Sequence, residues 1–368
     1  MKVLIVVCRL LVGLVFVFSG LVKGVDPLGT AYKFHDYFIA YGTEWANPIA
    51  IVLSIGLSAL EFVIGFALIL NVRMKQIAWG LLVLMGFFTI LTFFDAIFAP
   101  VDDCGCFGDA IKLSNWNTFY KNLVLLALAA FVFKTRKKVL SYWPGRTQWA
   151  VLLFGLLGFV WFSIYNLNHL PVWDFRNYKV GNDLTPELEG EWRYFFTYEN
   201  KKTGEQKEFE STNLPEDLDN WKYISRRDVP PEGYIEYNLT IEDHNGDIHT
   251  DSILAVEESQ LMVIAWNLKK SNKESFDLIN EIYRDAKHKG VSLFMITDNA
   301  YMNEPDVVTE FIEKTGFKGT VYYSNENELK AMIRSNPGLM LIRDGEILAK
   351  WHYNDLPDFW EIKTEYIE

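Results

Sequence analysis

Cysteine is scarce in this sequence, with three residues in 368, and none follows Cys106. A fold held together by several disulfides is therefore excluded, and so is dithiol chemistry anywhere in residues 107–368. Positive charge is also in short supply. The net charge of −12 argues against a nucleic-acid-binding protein, because phosphate binding requires a basic surface. The sequence also lacks a phosphate-binding loop, a nucleophile triad and internal repeats.

Charge and apolar residues divide the chain into two halves. Residues 1–166 carry 13 Lys and Arg against 8 Asp and Glu, whereas residues 167–368 carry 22 against 39. The first half contains five apolar stretches that could each cross a bilayer core of about 30 Å, which requires about 20 helical residues. They cover residues 3–22, 49–70, 77–94, 117–133 and 147–165. The sequence therefore predicts a membrane-embedded helical bundle followed by an acidic aqueous domain.

The distribution of Lys and Arg between the loops predicts the orientation in the membrane. No small-x-small cleavage site follows the first apolar stretch, so we interpret it as a retained helix and not as a signal peptide. With the N-terminus in the cytoplasm, the inner side receives eight Lys and Arg, and the outer side receives four Lys and six acidic residues. Five spans then place the acidic domain, and the loop between spans three and four, in the periplasm of a bacterial inner membrane.

Two charged residues fall well inside predicted spans, where an ionised side chain is costly unless it has a partner. At 1.5 Å per residue, Arg9 lies about 9 Å and Glu61 about 14 Å from the cytoplasmic ends of their spans. The two spans are neighbours and antiparallel, so we predict an Arg9–Glu61 ion pair. A structural role and a role in proton or substrate transfer both remain open for this pair.

The predicted outer loop contains two cysteines, Cys104 and Cys106, separated by Gly105. In an extended chain their Cα atoms lie about 6.5–7 Å apart, at the upper limit for a disulfide. A bend at the glycine brings them into range. A strained, exposed disulfide has an oxidising potential, which favours a redox-active pair. A static loop staple and a metal site stay open as alternatives, although ligands of mixed softness without histidine are poor for zinc.

The charges around this loop oppose thiolate formation. Acidic side chains raise the pKa of a nearby thiol and slow its attack. The only nearby cation that the sequence indicates is Lys112. The acidic neighbours are Asp102, Asp103 and Asp109.

Several motifs in residues 1–135 resemble the DoxX/MauE group of small four-helix membrane proteins. They are the Arg-Leu-Leu-Val-Gly run at 9–13, the Phe-Ser-Gly turn at 18–20 with Lys23 and the following Asp-Pro, and the Cys-Gly-Cys-Phe-Gly-Asp loop at 104–109. The group is associated with sulfur and disulfide redox chemistry and is related in design to the quinone-linked vitamin K epoxide reductase bundle. That bundle has a two-residue spacer between its reactive cysteines and a second cysteine pair, and both are absent here.

The resemblance implies a four-helix bundle over residues 1–135, with Cys104 and Cys106 as the reactive pair and a membrane quinone as a candidate electron acceptor. It also implies a set of polar residues that line the bundle interior. These are Arg9, Ser19, Lys23, Glu61 and Asp95.

The aqueous half shows strand and helix patterns. Strands are predicted at 192–198 and at 234–241, the second turning at Asn245-Gly246. From residue 253, strands are predicted at 261–266, 291–297 and 320–323, with a hairpin at 338–343 and 346–353. Helices are predicted at 271–288, 304–315, 326–333 and 356–366. The helix at 271–288 would start with a capping box of Ser271 and Glu274. The alternation implies a mixed sheet covered by helices.

This order of elements over residues 235–368 resembles the thioredoxin-like fold, in the form found in TlpA-like and peroxiredoxin-like domains. The resemblance implies a cis peptide bond before Pro337. The stretch where such proteins carry Cys-x-x-Cys reads 266–272 here and contains no cysteine. A binding or docking role, or a cover over the membrane loop, is therefore expected of this domain.

The division that follows is a DoxX-like bundle at 1–135, a fifth span at 136–166, a β-rich segment at 167–252 and a cysteine-free thioredoxin-like domain at 253–368. The leading hypothesis is an inner-membrane protein whose Cys104–Cys106 pair exchanges disulfides or sulfur species. The alternative is a non-catalytic docking subunit of a cell-envelope complex. Both require the lipid bilayer and a protein partner in the envelope, and neither involves nucleic acid.

Overall fold

The computed structural model describes residues 2–101, 104–138, 141, 143–185, 191–215, 217–231 and 237–367. Asp102 and Asp103, together with residues 234–236 of one predicted strand, lie outside the described residues. Five helices in the described residues are long and apolar enough to cross a membrane. They are α1 (Lys2–Val25), α3 (Ala50–Leu70), α4 (Met74–Phe98), α5 (Asn115–Thr135) and α6 (Gly145–Asn168). The five predicted spans are confirmed; four of the helices extend a few residues beyond the predicted bounds, and α3 matches its predicted bounds to within one residue.

One helix of the membrane half, α2 (Pro27–Ala40), was missing from the sequence analysis. The Asp26 side chain caps it by accepting a hydrogen bond from the Gly29 N–H at 2.8 Å, and Pro27 occupies its first turn. Asp followed by Pro is a recognised helix start. The helix is too polar to be read as a span, which is why the apolar pattern did not reveal it. The hydroxyl of Ser54 ties it to α3 by donating to the carbonyl of Pro27 at 2.7 Å.

Glycines bring α1 and α3 into close contact. A Cβ atom at Gly65 would lie 2.6 Å from the backbone of Gly13, and one at Gly20 would lie 2.7–2.8 Å from the backbone of Phe62 and Ser58. Small residues permit this approach between membrane helices. The contacts fix the axial register of the two helices, and they place residues 19–20 of α1 level with residues 58–62 of α3.

The aqueous half contains two sheets. The smaller is antiparallel, with order β2-β1-β3, and consists of β1 (Arg193–Asn200), β2 (Gln206–Glu210) and β3 (Trp221–Val229). The strand predicted at 192–198 corresponds to β1. The strand predicted at 234–241 is wrong in its described part, because residues 237–241 form no strand. The backbone of Glu242 pairs with Tyr323 of the larger sheet instead, with N–H···O distances of 2.8–2.9 Å.

The larger sheet is mixed, as predicted, with order β6-β5-β4-β7-β8. Its strands are β4 (Gln260–Ala265), β5 (Ser292–Asp298), β6 (Thr320–Ser324), β7 (Gly338–Arg343) and β8 (Glu346–His352). The first three are parallel, and β7 runs antiparallel to both β4 and β8. We refer to this sheet and its helices as the α/β domain.

Helices cover both faces of the larger sheet. The core on one face includes α8 (Phe276–His288), α9 (Pro305–Thr315) and α11 (Phe359–Ile362). The other core includes α7 (Thr250–Leu254) and α10 (Glu326–Met332). This second core also contains side chains from the segments that precede and follow the smaller sheet along the chain. Those side chains are Tyr178, Leu184, Leu239 and Ile241.

The helix predicted at 271–288 begins later, at Phe276, and the predicted capping box of Ser271 and Glu274 is wrong. The side chain of Asn272 accepts the N–H of Ser275 at 3.0 Å, and the N–H of Asn272 donates to the carbonyl of Asn336 at 2.9 Å. These bonds hold the segment after β4 as a turn against the loop before β7. The Asn336–Pro337 peptide bond in that loop is cis.

Candidate functional site

The two thiols of the loop between α4 and α5 lie in contact. The Sγ atoms of Cys104 and Cys106 are 2.8 Å apart, and both cysteines are free thiols. Gly105 has a φ of +63°, so it supplies the bend that brings two such close residues together. Its position against the Lys33 side chain, where a Cβ atom would come 3.0 Å from Cγ, leaves little room for any other residue.

A buried charged cluster lies directly below this loop. The ammonium group of Lys23 contacts both carboxylate oxygens of Glu61 at 2.7 and 2.9 Å, and both residues are buried. The hydroxyl of Ser19 lies 2.7 Å from the same carboxylate and 2.8 Å from the carbonyl of Cys106. Three of the five residues assigned to the bundle interior therefore form one cluster, and Ser19 connects it to the cysteine loop.

The predicted Arg9–Glu61 ion pair is wrong, because Lys23 is the partner of Glu61. The register set by the glycine contacts places Glu61 level with residues 19–20 of α1. Arg9 lies ten residues earlier, or about 15 Å along the helix. The prediction assumed that the cytoplasmic ends of the two spans are level, whereas α1 continues beyond the end of α3. Arg9 is nevertheless buried, at 8% exposure, on a different level of the bundle.

Asp95 lies in the bundle interior with a partner that the sequence analysis missed. The hydroxyl of Tyr37, on α2, donates to Oδ2 of Asp95 at 2.7 Å. Asp95 is completely buried. Because α2 was not recognised from the sequence, no pattern indicated that Tyr37 would face α4.

Two lysines that were not expected beside the cysteine loop, Lys23 and Lys121, change the chemistry of the thiols. The pKa of Cys106 is lowered to about 6, mainly because the Cys104 thiol donates a hydrogen bond to it, while burial opposes the shift and Lys121 and Lys23 support it. The pKa of Cys104 is raised by the same hydrogen bond and by burial. Cys106 is therefore the thiol of the pair that ionises more readily. The expectation that Lys112 is the only nearby cation is wrong, because folding brings lysines from α1 and α5 to the loop.

The carboxylate of Asp109 has a cationic partner from the α/β domain. It lies 3.3 Å from Nη2 of Arg334, a residue of the α/β domain, which contributes a cation to this end of the loop.

An apolar cavity of about 270 Å³ touches both cysteines and Gly105. Aromatic side chains of α2 and α4 form most of its wall, among them Phe34, Phe38, Phe87 and Phe88. Phe87 is 58% exposed on the outside of the bundle, so the cavity reaches the surface that faces lipid. Lys23 and Tyr37 contribute polar groups to an otherwise hydrophobic lining.

A second, polar cleft of about 670 Å³ lies on the other side of α2, between this helix and the α/β domain. Lys33 lines both cavities, and Asp109 and Arg334 line the polar one. The cysteine loop therefore has an aqueous approach on one side and a hydrophobic approach on the other.

No cluster of three or more His, Cys, Asp or Glu side chains suited to a metal ion occurs in the part of the chain that the structure describes. Asp102 and Asp103 lie outside this part. The described portion of the cysteine loop is thus a thiol site set among lysines.

Comparison with known proteins gives two matches. Residues 1–135 match the family model described as methylamine utilisation protein MauE. Residues 193–230, which contain the smaller sheet, match a domain of unknown function, DUF8463. No curated protein matches the chain. The resemblance noted from the motifs at residues 9–23 and 104–109 is confirmed for the membrane region: over its first 135 residues, this chain is similar to MauE.

Proposed function

We propose that this protein is an inner-membrane thiol–disulfide oxidoreductase with the Cys104–Cys106 pair as its redox centre. The observation that carries the proposal is the contact of the two thiols above the buried Lys23–Glu61 pair, beside a cavity that reaches the lipid-facing surface. A thiolate is the nucleophile in disulfide exchange, and the lowered pKa of Cys106 supplies it at neutral pH.

The proposed reaction has two half-reactions. In the first, the Cys104–Cys106 disulfide accepts two electrons from a substrate dithiol, which becomes a disulfide, and the pair becomes two thiols. In the second, the pair loses two electrons and two protons and its Sγ–Sγ bond forms again. Cys106 takes part as the thiolate and Cys104 releases its proton, and the pair passes two electrons to the acceptor as this bond closes.

The second half-reaction requires a two-electron acceptor, and a membrane quinone has the chemistry to take two electrons and two protons. The apolar cavity has the size and lining for a ring of this kind, and it abuts both cysteines. Phe87 and Phe88 would hold the ring, and Tyr37 and Lys23 would face its polar edge. The Glu61 carboxylate keeps the Lys23 ammonium in place beside the loop.

For the α/β domain we propose a thioredoxin-like module without redox activity of its own. Its strand order, with three parallel strands followed by an antiparallel hairpin, supports this assignment. Residues 107–368 contain no cysteine, so the module contributes binding and not thiol chemistry. The loop charges support a periplasmic position for this domain and for the cysteine loop.

The test is a redox titration in native membranes, followed by alkylation and mass measurement of residues 104–106. We expect a reversible two-electron transition, and we expect Cys104→Ser and Cys106→Ser each to abolish disulfide exchange. Cys8→Ser is the matched control, because Cys8 is buried in the bundle core away from the loop. A pair that mild thiols cannot reduce, with no phenotype in the serine variants, would contradict the proposal.

A second candidate is a non-catalytic docking subunit of an envelope complex. The absence of cysteine from the α/β domain favours it, since this domain cannot pass on electrons. In that case Cys104 and Cys106 form a static staple, and the serine variants lose stability of the loop but no activity. Co-purification in mild detergent then identifies the complex.

A further inference from the structure

The α/β domain contacts the membrane region through a buried arginine. Nε of Arg334 lies 3.0 and 2.9 Å from the two carboxylate oxygens of Asp26, the capping residue of α2. Its Nη2 atom lies 2.9 Å from Asp26 and 3.3 Å from the carboxylate of Asp109 in the cysteine loop. Arg334 is only 6% exposed. One guanidinium group therefore joins three segments: the α/β domain, the start of α2 and the cysteine loop.

Aromatic contacts surround this ionic contact. The ring of Tyr32, on α2, meets Trp266 edge-on with ring centroids 6.3 Å apart. The ammonium of Lys330 lies 4.9 Å and the guanidinium of Arg334 5.3 Å from the centre of the Tyr32 ring. Such cation–π contacts gain strength when they are shielded from water. Trp266 is held in turn by its Nε1–H, which donates to the carbonyl of Ser335 at 2.9 Å.

We call Trp266, Lys330 and Arg334 the docking face. Trp266 begins the stretch that lacks Cys-x-x-Cys, and Arg334 precedes the cis-proline loop. This face is occupied by α2 of the same chain and is not available to a separate protein. The polar cleft lined by Lys33, Asp109 and Arg334 borders this contact on the aqueous side.

The cysteine loop has one anchor in each region of the protein. Ser19 of α1 holds the carbonyl of Cys106, and Arg334 of the α/β domain holds the side chain of Asp109 three residues later. The N–H of Gly108 also donates to the carbonyl of Gly105 at 3.1 Å, so the segment between the anchors is a tight turn. Displacement of Asp109 would therefore be transmitted to Cys106.

We propose that Arg334 is a positioning residue for the thiol pair: by holding Asp109 against the capped start of α2, it keeps Cys106 beside Lys23 and Lys121 and so couples docking of the α/β domain to thiol reactivity. The importance of this coupling for turnover rests on the proposed function. The coupling itself concerns only the position and reactivity of the thiols.

The experiment measures the rate of maleimide alkylation at Cys106 against pH, with full-length protein in lipid nanodiscs and the Cys8→Ser background. Thiolate is the reacting form, so the wild-type rate rises through pH of about 6, the pKa of Cys106. In Arg334→Ala we expect the midpoint of this profile to move upward, with a rate at pH 6 that falls about tenfold for each unit of the shift. Arg334→Lys keeps the charge but not the planar fork, and we expect partial rescue.

Two further variants keep the test decisive. Asp109→Asn weakens the ionic contact between Arg334 and the loop and leaves the Arg334–Asp26 contact in place, so we expect an upward shift of the midpoint even if Arg334→Ala does not fold. Loss of the carboxylate charge alone would lower the pKa of Cys106, so an upward shift reports loss of positioning. Arg343→Ala is the matched control, because Arg343 is half-buried on β7 and donates to the hydroxyl of Ser259 at 2.8 and 3.0 Å and to the carbonyl of Tyr366 at 2.9 Å. It should leave the profile unchanged.

A profile that stays at its wild-type midpoint in folded Asp109→Asn and Arg334→Ala protein overturns the coupling. An equal shift in Arg343→Ala also overturns it, because the effect would then follow from general destabilisation. If the profile shifts as expected but the pair shows no reversible redox transition, the coupling stands and the oxidoreductase proposal fails.

Discussion

The membrane bundle and the aqueous half each bury a group of charges, and they do so in different ways. In the aqueous half, Lys350 donates to Asp174 at 2.7 Å and to the carbonyls of Tyr178 and Met332 at 2.7 and 2.9 Å. All three donors of this ammonium group are therefore satisfied within the protein. In the bundle, Lys23 and Glu61 satisfy each other, but Lys23 also lines the apolar cavity that both cysteines border.

Under the proposed function, this difference separates a structural cluster from one that tunes a reactive thiol. Buried charges are costly, and breaking a pair by removal of one partner is strongly destabilising. A cluster that encloses its charges with backbone carbonyls can only hold segments together. A cluster that faces a reactive group and a cavity can also change the charge state of that group. The tests of this comparison alter one cluster and measure both the stability of the fold and the alkylation of Cys106. Changes in the Lys350–Asp174 cluster should affect stability, and changes in the Lys23–Glu61 cluster should affect alkylation.

The largest expected effect is on stability, from Lys350→Met. The substitution leaves two backbone carbonyls without a donor and weakens the pairing of Asp174, so we expect a loss of about 3–5 kcal/mol in the free energy of unfolding. Hydrogen exchange of the β7–β8 amides in the full-length protein measures it. The alkylation profile of Cys106 at neutral pH should stay unchanged in protein that remains folded. A shifted profile would remove the distinction between the two clusters.

The second-largest expected effect is a loss of stability in acid, which arises from the same Lys350–Asp174 cluster. Burial opposes ionisation of Asp174, but Arg176 and Lys350 hold its pKa at about 2, below the ordinary value. A lowered carboxyl pKa contributes stability above the unfolded pKa, which is lost as the pH falls toward 2. We expect about 2 kcal/mol to disappear between pH 4 and pH 2. Hydrogen exchange across this window checks it, and Asp174→Asn should remove this part of the pH dependence.

Lys23→Met should act on reactivity. The substitution removes one of the two cations that lower the pKa of Cys106, so we expect alkylation of Cys106 near pH 6 to slow by about tenfold. A double variant, Lys23→Met with Glu61→Gln, avoids an unpaired buried carboxylate and should slow less, because the Glu61 carboxylate raises the pKa of Cys106 and its loss offsets part of the loss of Lys23. If folded Lys23→Met protein reacts at the wild-type rate, the Lys23–Glu61 pair does not tune the thiol and has a structural role.

The smallest effect belongs to an exposed ion pair. Lys269 and Glu304 lie 2.7 Å apart on the surface, with more than 45% of each side chain exposed. Such pairs contribute about 0–1 kcal/mol. Lys269→Met should therefore change neither hydrogen exchange nor the alkylation profile beyond this range. A large loss of stability in this variant would show that solvent exposure of an ion pair does not predict its contribution to the stability of this protein.

Several elements were predictable because their cause is local. The five spans follow from runs of apolar residues, and the helix ending at Gly316 follows from a glycine that adopts a left-handed φ of +66°. Predictions were wrong where contacts between residues distant along the chain determine the local structure. The helix start at Phe276 depends on a bond between Asn272 and the loop before β7, and Glu242 pairs with β6 because the fold brings them together.

The candidate site shows the same division. Cys104, Gly105 and Cys106 were identified from their spacing, and Ser19, Lys23, Glu61 and Asp95 from the resemblance to a family. Tyr37, Lys121 and Arg334 were missed. Each of these three acts on a residue that is distant along the chain and lies on another element. No sequence pattern identifies which elements are neighbours in the fold.

The sequence by itself determined which segments are apolar enough to enter a membrane, which loop holds the vicinal thiols, and that the aqueous half contains no thiol. These properties depend on composition and on spacing along one chain segment. Only the tertiary structure decided that Glu61 pairs with Lys23 and not with Arg9, and that Arg334 reaches Asp109. The reason is that the axial offset between two helices, and the face on which a domain docks, depend on the shape of two surfaces at once.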